Sequence, residues 1–340
     1  MEKYAIPAAV DALCAVLRRA GHRVYPVGGC VRDLILGLVP GDWDVTTSAL
    51  PQEVMALFPR TVPTGIAHGT VTVLEGEEKV EVTTFRREGN YLDARHPTAV
   101  RFDVGLTEDL LRRDFTINAM ALDEGGEIID PFGGRADLTA RLIRCVGEPD
   151  CRFAEDALRM LRAVRFAARL DFAIEEKTAA AIRTNAGRAA LLSGERVKAE
   201  VEKILLTPRP QRVAQLIAAG VLNHLYAAWP DDVDLNALAT APPEQGARWR
   251  AFCGATGFPI RALPVERALR RAVEHPELEV LAGLKLTGGR LCALGLAGPE
   301  VGAAQRYLAA HVLLYPEDNE YETLLALAGQ WMEQRRETML

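Results

Sequence analysis

The feature that most constrains the fold is a strand–turn–helix pattern in residues 22–37. The run HRVYPVGG predicts a short strand that ends in a turn at Gly28 and Gly29, and VRDLILG predicts a short helix that ends at Gly37. Two glycines before a helix let the backbone approach a phosphate closely, with helix N–H groups aimed at it. Arg32 could then add charge-assisted hydrogen bonds. The alternative is an ordinary turn at the end of a strand.

Two aspartates lie two positions apart in the next strand signal, GDWDVTTS (41–48). Alternate side chains of a strand share a face, so Asp42 and Asp44 should project together while Trp43 and Val45 face the core. Two carboxylates this close repel by about 4 kcal/mol at an intermediate dielectric. A divalent cation removes that penalty, and ligation by oxygen alone suits Mg²⁺. The alternative is a solvated strand end with two exposed acids.

A third acid follows in residues 68–86, which predict a β-hairpin with a Gly-Glu-Glu turn. Val80 and Val82 should share one face of its second strand, and Glu81 and Thr83 the other. If this strand lies beside the Asp-Trp-Asp strand, Glu81 becomes a third oxygen ligand. Three convergent acids on a sheet are typical of two-metal phosphoryl transfer. The alternative is an exposed hairpin acid.

The first 145 or so residues mix strand and helix signals, and from about residue 150 onward the signals are helical throughout. Before this point, residues 86–98 are polar and without periodicity, which predicts a mobile loop, and a helix capped by Thr107 follows. After it, Asp156 and Arg159 are three apart and should be neighbours on one helix over 155–170. Taken alone, they predict a structural salt bridge.

The composition, 49% hydrophobic and 25% charged, is ordinary for a water-soluble globular protein, and no run is apolar enough to span a membrane. The N-terminal residues predict an amphipathic helix and no signal peptide. Six cysteines without a CxxC pair favour buried free thiols in the cytoplasm. The net charge of −6 argues against a wholly basic surface, but residues 141–170 hold seven arginines against four acids and could bind an anionic partner.

A series of motifs resembles one enzyme superfamily, the polymerase-β-type nucleotidyltransferases. The motifs are GGCVRD (28–33), GDWDVTT (41–47), RRDFTINAMA (112–121), DPFGGRADL (130–138), EDALRMLRAVRFAARL (155–170) and GERVKAEVEKIL (194–205). They are most similar to the branch that contains class II tRNA nucleotidyltransferases and bacterial poly(A) polymerases. The resemblance covers about the first 205 residues, and the remaining 135 are placed only by analogy.

The resemblance implies an α+β fold with an N-terminal mixed-sheet nucleotidyltransferase head and an all-helical neck, body and tail. The implied domains are a catalytic head at 1–145, a nucleotide-recognising neck at 146–206, and a tRNA-binding body and tail at 207–340.

The resemblance also implies the roles of individual residues. The Arg-Arg-Asp segment (112–114), which alone would be a surface charge run, should hold the sugar and phosphates of a nucleotide. Asp156 and Arg159 should read the amino group and ring nitrogen shared by cytosine and adenine, and reject uracil and guanine. The predicted catalytic residues are Asp42, Asp44 and Glu81, with metal on Asp42 and Asp44. The predicted nucleotide-binding residues are Gly28, Gly29, Arg32, Arg112, Arg113, Asp114, Asp156, Arg159, Arg162 and Arg165.

The function implied is template-independent addition of CCA to the 3′ end of tRNA from CTP and ATP, with Mg²⁺ as cofactor and release of pyrophosphate. No membrane and no protein partner are expected. The alternatives are a poly(A) polymerase and a partial enzyme that adds only CC or only A. The loop at 86–98 resembles a segment that CC-only members lack. An inactive RNA-binding protein on the same scaffold and a small-molecule nucleotidyltransferase are rivals of other classes.

Overall fold

The computed structural model describes residues 4–88, 100–230 and 234–338. The chain divides into two compact units, Met1–Trp229 and Pro230–Leu340. The predicted boundaries at 145 and 206 both fall within the first unit and stay predictions. Most of the predicted loop at 86–98 lies outside the described residues.

The first unit is built on a five-stranded sheet with the order β1-β2-β5-β4-β3. Its strands are β1 (Val24–Pro26), β2 (Trp43–Thr47), β3 (Thr61–Gly65), β4 (Thr70–Glu75) and β5 (Glu78–Thr84). Strands β2 and β5 are parallel, and the other neighbours are antiparallel. The predicted mixed sheet is therefore confirmed.

The alternation of apolar and polar residues sets which face of the sheet is buried. Trp43 and Val45 of β2 are buried, as predicted, and so are Val80 and Val82 of β5. Their neighbours in sequence project from the opposite face. The hairpin turn is one residue shorter than predicted, because Glu78 already pairs with Glu75 in the ladder.

The described residues before position 145 contain five α-helices: α1 (Ala8–Arg19), α2 (Gly29–Ile35), α3 (Pro51–Leu57), α4 (Leu106–Leu111) and α5 (Gly134–Ala140). The predicted cap of α4 is wrong. The helix begins at Leu106, and the Gly105 N–H donates to the Glu108 side chain at 3.1 Å. Glu108 therefore stabilises the first turn in place of Thr107.

Short ladders complete this part of the chain. Strand β6 (Arg87–Glu88) pairs with β7 (Val100–Arg101), and β8 (Ala121–Leu122) pairs with β9 (Ile128–Ile129). Strand β10 (Leu142–Ile143) pairs in parallel with β11 (Ala173–Ile174). The prediction that the chain is helical throughout after residue 150 is therefore wrong at β11.

The rest of the first unit contains α6 (Pro149–Glu155), α7 (Leu158–Leu170), α8 (Glu176–Asn185), α9 (Gly194–Leu205) and α10 (Ala214–Ala218). The single helix predicted over 155–170 is two helices, because the backbone of Asp156 is extended, with φ −143° and ψ 106°. Met160, Leu161, Val164 and Ala168 form an apolar stripe on α7 and are all buried.

The second unit consists of α11 (Asn236–Thr240), α12 (Gln245–Thr256), α13 (Arg267–Glu274), α14 (Glu277–Val280), α15 (Gly288–Ala293), α16 (Pro299–Leu314) and α17 (Tyr321–Thr338). Leu286, Leu291, Leu308 and Leu324 form part of one buried core cluster. Among the described residues, no helix of the protein has the length and apolar character needed to cross a membrane.

All six cysteines are free thiols. Burial raises the pKa of Cys14 and Cys145 to about 12 and that of Cys30 to about 11. Cys151 and Cys292 are exposed, so the prediction that the thiols are buried is wrong for these two.

Candidate active site

One cleft in the first unit brings all of the predicted site residues together. It has a volume of about 730 Å³ and is lined by segments of the sheet, by the turn before α2, by the segment after α4, and by α7 and α9. Its lining includes Gly28, Gly29, Arg32, Asp42, Asp44, Glu81, Arg112, Arg113, Asp114, Asp156, Arg159, Arg162 and Arg165. The sequence motifs therefore converge in space, although they span 138 positions from Gly28 to Arg165.

One edge of the cleft carries the three acids. The parallel register of β2 and β5 sets Asp44 opposite Glu81, so the condition under which Glu81 could join the two aspartates is met. Asp42 immediately precedes β2 and is exposed, as is Glu81, while Asp44 is half-buried. The pKa of Asp44 is raised, first by burial and then by the negative charges of Glu81 and Asp42, although Arg113 opposes them. The positive charge of Arg113 therefore offsets only part of the cost of ionising Asp44.

This edge fits a hard divalent cation by its chemistry, because carboxylate oxygens are its donors and their mutual repulsion would be relieved. No group of three His, Cys, Asp or Glu side chains in the described part of the chain could by itself hold a metal ion. The two aspartates would thus supply part of the coordination sphere. Mg²⁺ usually completes such a sphere with water and substrate phosphate oxygens.

The glycine turn lies beside these acids. Gly28 has a φ of 82°, which favours glycine, and its N–H donates to the Met120 carbonyl at 3.1 Å. A Cβ at Gly28 would lie 3.0 Å from Nη1 of Arg113 and 3.8 Å from Oδ2 of Asp44. The missing side chain thus leaves the backbone close to both the acidic edge and an arginine.

Arg32, which the sequence predicts to bind a phosphate, also makes several contacts within the protein. Its guanidinium is buried, donates to Asp33 at 2.8 Å and to Asn118 Oδ1 at 2.8 Å, and lies over the ring of Phe166. Arg32 therefore ties α2 to the segment after α4. Asn118 was not predicted, because its position in the sequence carries no local signal of this contact.

The Arg-Arg-Asp segment is not a surface charge run. Arg112 and Arg113 both donate to the Asp109 carboxylate, at 2.9 and 3.3 Å respectively. Asp109 is fully buried. Burial raises the pKa of Asp109, but Arg112 and Arg113 outweigh it, so the pKa lies below its ordinary value. Asp109 also accepts from the Thr46 hydroxyl at 3.1 Å. It was missed, although an acid three and four positions before two arginines is a helix-pair signal.

Asp114 is the buried centre of a second network. It pairs with Arg162 at 2.6 Å and accepts from the Asn118 side chain at 3.3 Å. Burial raises the pKa of Asp114, but the charge and hydrogen bond of Arg162 outweigh it and lower the pKa to about 2. A continuous chain of contacts, Arg32–Asn118–Asp114–Arg162, therefore connects the glycine turn with α7.

The two residues predicted to read the base lie at the break between α6 and α7. Asp156 Oδ1 accepts from the Leu158 N–H at 3.0 Å, and both of its oxygens contact Arg196, at 3.0 and 3.2 Å. Arg159 donates to Glu155 at 2.5 Å and to the Arg112 carbonyl at 2.8 Å. Arg196 was not predicted as a site residue, although it lies within one of the quoted motifs.

The remaining wall is cationic. Arg162 and Arg165 both lie over the ring of Phe166. The pKa of Arg165 is lowered, first by burial and then by the neighbouring positive charge of Arg162. The Nε atom of Arg165 lies 2.9 Å from the Glu200 carboxylate. In total nine cationic and six anionic side chains line the cleft. Such a cleft attracts a polyanion although the whole chain is acidic.

Comparisons with known proteins agree with this architecture. Residues 24–144 match the model of the "Poly A polymerase head domain", and residues 171–230 match that of the "Probable RNA and SrmB- binding site of polymerase A". The CCA-adding enzyme of Anoxybacillus flavithermus is 47% identical over 249 residues, 71% of this chain and 62% of that protein. That of Geobacillus stearothermophilus is 52% identical over 246 residues, 71% of this chain and 61% of that protein. This chain thus spans less than two thirds of the length of these relatives.

One solved structure is similar to this chain over nearly its whole length. The crystal structure of the Bacillus stearothermophilus CCA-adding enzyme in complex with CTP has a TM-score of 0.73 and 35% identity, covering 98% of this chain and 82% of that one. The fold and the cleft are those of the polymerase-β-type nucleotidyltransferase superfamily. Within that class, the chain belongs to the family of class II CCA-adding enzymes and poly(A) polymerases. Membership implies dependence on a divalent metal ion, which the carboxylate edge fits.

Proposed function

We propose that this protein adds CCA to the 3′ end of tRNA from CTP and ATP, without a nucleic-acid template. The observation that carries the proposal is the single cleft in which a carboxylate edge, a glycine turn and an arginine wall meet. Further support comes from the relatives named CCA-adding enzymes and from the 35% identical structure in complex with CTP.

The chemistry would take place at the acidic edge. Asp42 and Asp44 would hold Mg²⁺, because both line the cleft at the start of β2 and the charge of Asp42 raises the pKa of Asp44. When bound, Mg²⁺ supplies positive charge that stabilises the attacking and leaving oxygens of an in-line displacement. The 3′-hydroxyl of the RNA forms a bond to the α-phosphorus, the bond to pyrophosphate breaks, and the hydroxyl proton is lost. Glu81, opposite Asp44 and open to the cleft, is placed to accept that proton.

The triphosphate would be held beside this edge. Arg113 approaches both Gly28 and the acidic edge, and Arg112 is fixed by the same buried partner, Asp109. These two arginines and the turn would therefore orient the α-phosphate toward the carboxylates. Asp114, held by Arg162 and Asn118, stabilises the wall that would face the sugar.

Base choice would be made at the break between α6 and α7. Cytosine and adenine present an amino donor beside a ring-nitrogen acceptor, whereas uracil and guanine present a carbonyl beside an N–H. Asp156 would accept from the amino group and Arg159 would donate to the ring nitrogen. Uracil and guanine would leave both protein groups unsatisfied, which disfavours their binding. We further propose that the protein acts in the cytoplasm, consistent with its six free thiols.

The direct test uses three tRNA substrates that lack CCA, CA or only the final A, each incubated with CTP or ATP alone in Mg²⁺. We expect CTP to extend the first two substrates up to CC and ATP to extend only the substrate that already ends in CC. Addition of A to the CC substrate without any addition of C to the other two would identify an A-adding partial enzyme. Long A tails on any RNA would identify a poly(A) polymerase. No extension of any substrate would overturn the proposal.

A further inference from the structure

Arg196 is a cleft residue with a specific geometric relation to Asp156. It lies in the first turn of α9, 40 positions along the chain, and its Nη2 contacts both carboxylate oxygens, at 3.0 and 3.2 Å. Both side chains are 23% exposed. The pair is therefore largely screened from water, and both residues line the cleft.

Asp156 is the residue at which α6 ends, and its N–H donates to the Arg152 carbonyl at 3.3 Å. It lies in the extended link between α6 and α7, and the Leu158 N–H holds only Oδ1. A carboxylate held through one oxygen can still rotate about its Cβ–Cγ bond. The contact from Arg196 to both oxygens fixes the plane of the carboxylate, and it comes from a different helix.

We propose that Arg196 is a positioning residue for base selection. It holds the Asp156 carboxylate in the orientation that accepts the amino group of cytosine or adenine. A carboxylate has about four acceptor sites, so one remains for the base after the Leu158 N–H and the two contacts from Arg196. This inference rests on the proposed function and adds to it a residue that acts through Asp156.

The alternative is that Arg196 competes with the base for the Asp156 carboxylate. If Arg196 blocked the acceptor sites of Asp156, a nucleotide would have to displace it, and its removal would improve the use of CTP. The two roles predict changes of opposite sign in kcat/KM, so one set of variants separates them.

The test compares Arg196→Met and Arg196→Lys with wild type, measuring kcat/KM for CTP and UTP on a tRNA that lacks CCA. The matched control is Arg183→Met, which removes an arginine from an exposed ion pair with Glu176 on α8, outside the cleft. We expect Arg196→Met to lower the CTP-to-UTP preference by roughly tenfold, mainly through the KM for CTP. Arg196→Lys should restore part of the preference, and Arg183→Met should leave it unchanged.

A double variant tests whether Arg196 acts through Asp156. Once Asp156→Asn is present, Arg196→Met should reduce the preference little further, because coupled residues are not additive. An unchanged preference in Arg196→Met, or an increased kcat/KM for CTP, would overturn the inference, and a lower Tm alone would indicate a structural role. Wild-type protein that adds no CMP to tRNA would instead overturn the proposed function, so the two failures are distinguishable.

Discussion

At the scale of single residues, Asp44 combines a proposed catalytic role with an electrostatic cost. Its pKa is raised by burial and by Glu81 and Asp42. A carboxyl group whose pKa is higher in the folded than in the unfolded protein favours folding at low pH. This contribution is lost as the pH rises through the folded-state pKa, so the ionised group destabilises the fold at neutral pH.

We therefore expect Asp44→Asn to abolish nucleotide addition and at the same time to raise the Tm at pH 7 in the presence of EDTA. Asp42→Asn should also abolish addition, but with little change in Tm because Asp42 is exposed. Addition assays and thermal unfolding measure both effects. Near-normal incorporation by either variant in Mg²⁺ would remove the catalytic assignment.

Asp156 has one observed contact, with the Leu158 N–H, and one proposed contact, with the base, and different substitutions separate the two. Asp156→Ala would remove the acceptor for the Leu158 N–H together with the proposed base contact. Asp156→Asn keeps an oxygen for that N–H and replaces the other oxygen with an NH₂ donor. We expect Asp156→Asn to lower kcat/KM for CTP and ATP by roughly ten- to a hundredfold and to affect UTP much less.

Measuring kcat/KM for all four triphosphates on one truncated tRNA tests this expectation. If Asp156→Asn discriminates against UTP as strongly as wild type does, the residue supports the helix break and does not read the base.

Among the secondary-structure elements, the turn before α2 contains two adjacent glycines, Gly28 and Gly29, at which alanine should have different effects. An alanine at Gly28 would have an unfavourable positive φ and a Cβ 3.0 Å from Arg113. An alanine at Gly29, the first residue of α2, would meet only Arg32 at an ordinary 3.7 Å. We expect Gly28→Ala to cost about 1–2 kcal/mol of stability and to raise the KM for both nucleotides, and Gly29→Ala to change little. Equal effects of the two substitutions on KM would show that the turn has no special role.

The buried network around Asp114 predicts a pH dependence. Because its pKa is lowered to about 2, Asp114 contributes stability that is fully present above its unfolded-state pKa of about 4. This contribution is lost as the pH falls from about 4 to about 2. Chemical unfolding of wild type and Asp114→Asn should therefore differ by a constant free energy from pH 5 to 7, and the difference should shrink below pH 4. A difference that stays constant down to pH 2.5 would contradict the ionised, paired state of Asp114.

The order of the elements and the identity of the cleft could be predicted from local patterns, because alternation in strands and glycines before helices are local properties. The helix break at Asp156 was missed, since the pattern of apolar residues continues across it. The sequence feature that indicates the break is Asp156 itself, because the short side chain of an aspartate can accept from a nearby backbone N–H in place of a helical carbonyl. Asn118 and Arg196 could not be identified, because tertiary packing alone brings them to their partners.

At the scale of the whole molecule, the proposed substrate is a polyanion and the protein has a net charge of −6. Binding would then depend on local groups of arginines, such as the exposed Arg267, Arg270 and Arg271 of α13. We expect tRNA affinity to fall steeply with KCl, with a slope of roughly −0.7 to −0.9 per phosphate contact in a logarithmic plot.

Replacing two of these arginines, Arg267→Gln and Arg271→Gln, should make the slope shallower by about one to two. Filter binding at several KCl concentrations measures this slope. A slope equal to that of wild type would remove α13 from the interface, and a flat dependence in wild type would contradict electrostatic binding altogether.

The distribution of the cysteines has a practical consequence for spectroscopy. Thiolate is the reactive species, so the thiols of Cys14, Cys30, Cys145 and Cys253, whose pKa values burial raises to about 11–12, should resist maleimide dyes. Cys151 and Cys292 are exposed, and one lies in each compact unit. The unmodified protein therefore offers one natural attachment point on each unit for a donor–acceptor pair, and energy transfer between the dyes would follow any change in their separation when RNA is added.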